Sequence, residues 1–106
     1  MDYHHLAVYT QSGRQISRLS DIQESDHAVF ARLDRENLNI PDRAVFILAV
    51  YDRGIFYSVN VSNTDKTGLV RLPNNVLSST IKVFVWEDFA RMNPVFDPLI
   101  IGGESQ

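Results

Sequence analysis

At 106 residues, with 44% hydrophobic and 22% charged side chains, the chain has the size and composition of one globular domain and excludes both disorder and a membrane-embedded class. A net charge of −3, with basic residues scattered from Arg14 to Arg91, leaves no basic stripe to track phosphates and excludes nucleic acid as a partner. The lack of cysteine excludes disulfides, thiol catalysis and thiolate metal sites.

Met1-Asp2-Tyr3-His4-His5 has neither a cationic segment nor an apolar signal region, so a cytosolic chain or a module of a longer exported protein is expected. Leu6-Ala7-Val8-Tyr9 reads as a short strand closed by Gln11-Ser12-Gly13, where glycine supplies the positive φ of a tight turn. From Asp26, the set His27, Val29, Ala31, Leu33 alternates with Ala28, Phe30, Arg32, Asp34, the mark of a half-buried antiparallel strand. Residues 35–42 carry turn chemistry. Ala44 to Tyr51 follows as the most continuously apolar segment, a central strand covered on both faces and far too short to span a bilayer.

Asp52-Arg53-Gly54 is a compact turn, and Ile55, Tyr57, Val59 and Val61 alternate with Phe56, Ser58 and Asn60 beyond it, so the two runs form a hairpin. Ser62 to Gly68 is a polar loop, Leu69 to Leu72 a short strand, Pro73-Asn74-Asn75 a break, and Val76 to Ser79 at most a helical turn. Ile81 to Trp86 is the last major strand. Pro94 cannot donate to a ladder, so pairing there ends or continues only along an edge. Short strands at regular spacing, without a helix-length amphipathic segment, give an all-β fold: an antiparallel immunoglobulin/fibronectin type III-like β-sandwich of about seven strands. One domain is expected over residues 3–101, with residues 102–106 a flexible tail or linker stub.

The chemistry-bearing residues do not form a motif. Trp86 could stack on a sugar ring, but is expected to cover the edge of the core; Tyr3, Tyr9, Tyr51 and Tyr57 are expected to flank it. His4, His5 and His27 lack metal-ligand spacing. Asp34, Glu36 and Asp42, with Asn63 and Asp65, lack the spacing of a calcium loop and read as solvated turn residues. Glu87-Asp88 are neighbours that diverge on a strand end, and Asn60-Val61-Ser62 is a glycosylation triplet of a kind common by chance. No catalytic residue, no cofactor and no metal are assigned, and no enzyme is expected.

Val50-Tyr51-Asp52-Arg53-Gly54-Ile55, Leu72-Pro73, Ile81-Lys82-Val83-Phe84-Val85-Trp86 and Met92-Asn93-Pro94-Val95 together resemble a β-sandwich module of Gram-positive bacterial multidomain surface or secreted proteins. They are similar to its "YD-x-G-x-L" hairpin, its Leu-Pro strand end and its "VKxFxW…MxPL" ending. Arg53 departs from the Asn usual before the turn glycine. The resemblance implies an extracellular or cell-surface location and a non-catalytic spacer or interaction module of a larger protein. Its partners would be neighbouring domains of the parent chain, a protein or a polysaccharide, without membrane insertion. The loops Asp52 to Gly54, Ser62 to Gly68 and Glu87 to Asn93 would carry contacts. Two alternatives stand beside it: a carbohydrate-binding accessory module, and a small cytosolic regulatory or assembly protein.

Overall fold

In the computed structural model of the chain, residues 6–34, 40, 43–88, 90, 93–95 and 98–102 are described. Eight strands run β1 (Leu6–Thr10), β2 (Gln15–Ile16), β3 (Ala28–Leu33), β4 (Val45–Asp52), β5 (Ile55–Ser62), β6 (Val70–Arg71), β7 (Ser79–Trp86) and β8 (Leu99–Gly102). They form two antiparallel four-stranded sheets, ordered β2-β1-β3-β6 and β5-β4-β7-β8. No α-helix occurs among the described residues; the only helical elements there are single 3₁₀ turns at Leu19–Asp21 and Val76–Ser78.

Alternation builds the core between the sheets. The first sheet contributes Leu6, Val8, Ile16, Val29, Ala31, Leu33 and Val70; the second contributes Phe46, Leu48, Val50, Ile81, Val83, Val85 and Ile101. Strands β4 and β7 are hydrogen-bonded neighbours within the larger sheet and supply most of its core face, and β4 is central, its outward Ile47 and Ala49 buried as well as its inward residues. The expected alternation over β3 holds, with Val29, Ala31 and Leu33 in the core.

The β4–β5 turn has φ 53° at Arg53 and 80° at Gly54, two consecutive left-handed residues that match a two-residue hairpin to the right-handed strand twist. Its second strand then carries a β-bulge: Ser58 lies opposite Val50 but Phe56 lies opposite Tyr51, which leaves Tyr57 as the extra residue.

Strand β8 corrects the sequence reading, in which the series closed at Trp86. Leu99 to Gly102 pairs with Val83 to Thr80, so the larger sheet gains an edge strand from a run too short to announce itself. Gly102, with φ 77°, sits where an added Cβ would crowd the Leu19 side chain and come within 2.9 Å of the Ser79 carbonyl oxygen, which explains glycine at the strand end. The Pro94 expectation holds: Trp86 and Pro94 form a lone bridge, and Val95 N–H donates to the Val85 carbonyl at 2.8 Å.

Candidate functional site

On one long side of the sandwich, edge strand β5 of the larger sheet and edge strand β6 of the smaller one lie next to each other. The chain between them, Asp65 to Arg71, is stitched to both sheets. On the β3 side, Leu33 N–H donates to the Asp65 carbonyl at 2.9 Å and Thr67 N–H to the Ala31 carbonyl at 3.0 Å. The buried Thr67 hydroxyl accepts from Ala31 N–H at 2.8 Å, replacing a ladder bond where the backbone departs from strand geometry.

Side chains of β5 supply the other row. Ser62 Oγ donates to the Lys66 carbonyl at 3.0 Å, Asn60 Oδ1 accepts from Gly68 N–H at 2.9 Å, and Ser58 Oγ donates to the Arg71 carbonyl at 3.0 Å. These three positions face inward, since they stand opposite Phe46, Leu48 and Val50. The polar half of β5 therefore closes the seam between the sheets.

Alternation sends the apolar half outward. Val59 and Val61 stand beside Ala49 and Ile47 on the solvent face, and Phe56 beside Tyr51. Phe56, Val59 and Val61 are 57%, 44% and 49% exposed on that face; Ile55, opposite Asp52, and the bulged Tyr57 are 72% and 44% exposed beside them, and no charge occurs from Ile55 to Ser62. Scattered exposed apolar residues are ordinary; five in one strand make β5 the candidate contact surface. Along its far edge, β5 has no strand partner among the described residues.

The strip continues across the outer face of the larger sheet. In register, Val59 leads through Ala49 and Lys82 to Ile100, and Val61 through Ile47 to Phe84. Lys82 Nζ lies 5.0 Å from the Tyr51 ring centre, and Tyr51 meets Phe56 edge to face at 5.9 Å. Phe84 and Trp86 are half-buried on this same face, their ring centres 6.0 Å apart and their planes tilted by 34°. This overturns the expected place of Trp86 at the edge of the core: β7 turns Ser79, Ile81, Val83 and Val85 inward, so its even-numbered residues face outward.

The other aromatic and titratable candidates do not converge. Tyr9 stacks on Phe30 at 5.4 Å on the outer face of the smaller sheet, where Lys66 Nζ lies 4.9 Å from the Phe30 ring centre. His27, Asp34, Asn63 and Asp65 are exposed, and Glu87 and Asp88 half-exposed. Tyr3, His4, His5, Glu36 and Asp42 lie outside the described residues. No group of three or more His, Cys, Asp or Glu that could hold a metal occurs among the described residues. A cleft of about 400 Å³ between β1, β2 and β8 is lined by Leu6, Ile16, Leu99 and Ile101 together with Gln15 and Ser17, and carries no acid or base.

One polar cluster was not foreseen. The nearly buried Asp26 carboxylate pairs with the Arg14 guanidinium and accepts from Gln23 N–H at 2.8 Å, while Gln11 Nε2 donates to its other oxygen at 3.3 Å. Arg14 also donates to the Asp21 carbonyl at 2.8 Å. The Asp21 carboxyl is held below its ordinary value of 3.8, mainly by the Ser17 backbone N–H it accepts at 2.9 Å. These bonds pin the chain between β2 and β3 to the end of the first sheet. No sequence signal marks them, because the partners lie up to fifteen residues apart.

Comparison with family models, curated proteins and solved structures finds no match for this chain. Among the described residues, no helix is long and apolar enough to cross a membrane.

Proposed function

We propose that this β-sandwich is a non-catalytic interaction module, a contact or spacing element of a larger surface or secreted protein. The observation that carries the reading is the orientation of β5: its polar residues are consumed in holding the sheets together, and its apolar residues face solvent. A chain that needed only to stay soluble would gain from the reverse arrangement, or from a charge or proline on that strand. The distribution of strands, with β1, β3 and β6 in one sheet and β4, β5, β7 and β8 in the other, supports an immunoglobulin/fibronectin-like type. The extracellular or cell-surface assignment rests on the resemblance of the hairpin and of Ile81 to Trp86.

The test is a photoreactive side chain placed at Val61 in cells that make the protein, with Ser20, exposed in the first sheet's connection, as control. A discrete adduct from position 61 and none from position 20 is expected. Absence of any adduct at 61 overturns the reading.

A second reading, a carbohydrate-binding accessory module, needs coplanar exposed rings; what supports it is the place of Trp86 on the solvent face beside Phe84, half-buried and tilted by 34° to it. Titration of the domain with cell-wall and plant polysaccharides, followed by Trp86 emission, separates the two. Saturable binding lost in Trp86→Ala with folding intact supports the glycan; unchanged emission with every polysaccharide removes it.

A further inference from the structure

We propose that β5 pairs edge to edge and antiparallel with β5 of a second copy of this chain, joining two four-stranded sheets into one continuous eight-stranded sheet. The proposal rests on the contact-module reading and names the partner that fits the strip. Three observations select a second copy over an unrelated strand.

The first is self-complementary register. The regular part of β5 after the bulge at Tyr57 is Ser58 to Ser62. A two-fold axis through Asn60 places Val59 opposite Val61 of the second copy and Ser58 opposite its Ser62. Every apolar residue then meets an apolar one on the outer face, and every polar residue a polar one on the inner face.

The second is charge. The strand itself carries none, so no like charges oppose each other at the centre. Antiparallel pairing brings the turn end of one strand to the loop end of the other. The turn end presents the Arg53 guanidinium, 78% exposed, and the loop end presents the exposed Asp65 carboxylate. The two-fold axis forms this opposite-charge encounter twice.

The third is continuity. The outward strip does not fade at the edge of the sheet but is most exposed there, at Phe56, Tyr57, Val59 and Val61, whereas Ile47 and Ala49 on the neighbouring strand are already covered. A second β5 extends that strip across the axis and covers its edge. The inward Ser58, Asn60 and Ser62 side chains are bound to Lys66, Gly68 and Arg71, which leaves pairing to the backbone edge and the outward residues.

The regular segment Ser58 to Ser62 spans about 17 Å, so the interface falls in the small, transient class and a weak dimer is expected. Sedimentation equilibrium of the purified chain from about 1 to about 500 μM tests it. The wild type is expected to pass from monomer to dimer. Val59→Lys, at an exposed position where folding is retained, is expected to weaken dimerisation at least about tenfold, because each lysine would enter the apolar row. Adding Val61→Glu to it sets the introduced ammonium of each copy against the introduced carboxylate of the other, and is expected to restore a dimer that weakens as salt rises. A wild type that stays monomeric throughout, or a Val59→Lys chain that dimerises like the wild type, overturns the proposal. A monomeric wild type with a heteromeric adduct at position 61 would sink the self-pairing while leaving the contact-module reading standing; no adduct and no dimer would sink both.

Discussion

Strands β5 and β7 flank the same central strand and are each eight residues long, yet β7 turns its aliphatic Ile81, Val83 and Val85 inward while β5 turns its aliphatic Val59 and Val61 outward. β7 lies between β4 and β8, where its inner face meets the opposing sheet, and it fills that space with Ile81, Val83 and Val85, all fully buried. β5 lies at the edge beside the crossing chain of residues 65–71, whose carbonyls and N–H groups need partners. There Ser58, Asn60 and Ser62 face inward. Which face of a strand is apolar is therefore decided by what lies beneath it: packed side chains in one case, backbone polar groups in the other.

The comparison breaks most sharply in the core. Ile81→Ala removes a fully buried side chain and leaves a cavity between the sheets, an expected loss of about 2–5 kcal/mol in urea denaturation. Val59→Ala, on the strand whose apolar face meets solvent, is expected to cost under about 1 kcal/mol, the range of strand propensity alone. Equal losses at the two positions would mean that the outward face of β5 is covered within the folded monomer.

The seam gives the next effect. Thr67→Val keeps the shape but removes the acceptor of the Ala31 N–H, and leaving that buried donor unpaired is expected to cost about 1–3 kcal/mol. Thr67→Ser retains the hydroxyl and should recover most of it. If the Ser variant, which loses only the methyl, unfolds at a lower denaturant concentration than the Val variant, methyl packing rather than the hydrogen bond holds the seam.

Much of this fold can be read from the residues. Continuous apolar character marks Ala44 to Tyr51 as central, and alternation marks β3, β7 and, beyond its bulge at Tyr57, β5. Residues 11–13 and 52–54 announce their turns through Gly13 and Gly54, both with positive φ. What alternation cannot supply is its sign. Val59 and Val61 look like core residues because period two is symmetric between the faces, and only the bonds to Lys66, Gly68 and Arg71 break that symmetry. Trp86 and Phe84 fall to the outside for the same reason, one residue out of step with Val83 and Val85. Strand β8 escaped because four residues after a proline carry too little periodicity to distinguish a strand from a tail. The Arg14–Asp26 pair escaped because charge pairing over twelve residues leaves no local pattern.

The smallest expected effect lies at the turn that sets where β5 begins. Arg53 takes the left-handed conformation, φ 53°, which a side chain with a Cβ adopts at a cost that Asn and Gly largely avoid. Its guanidinium lies 3.6 Å from Asp52 but is 78% exposed, so that ion pair adds little to offset the conformation. Its backbone N–H, bonded to the Ser78 carbonyl at 2.9 Å, is retained by any residue except proline. Arg53→Asn is therefore expected to raise stability by about 0.5–1 kcal/mol, and Arg53→Val, whose branched Cβ fits this region poorly, to lower it. Urea midpoints measured on both variants decide the point. If they shift in the same direction, side-chain contacts rather than backbone conformation govern the turn, and the register of β5 is then set by its bonds to the seam.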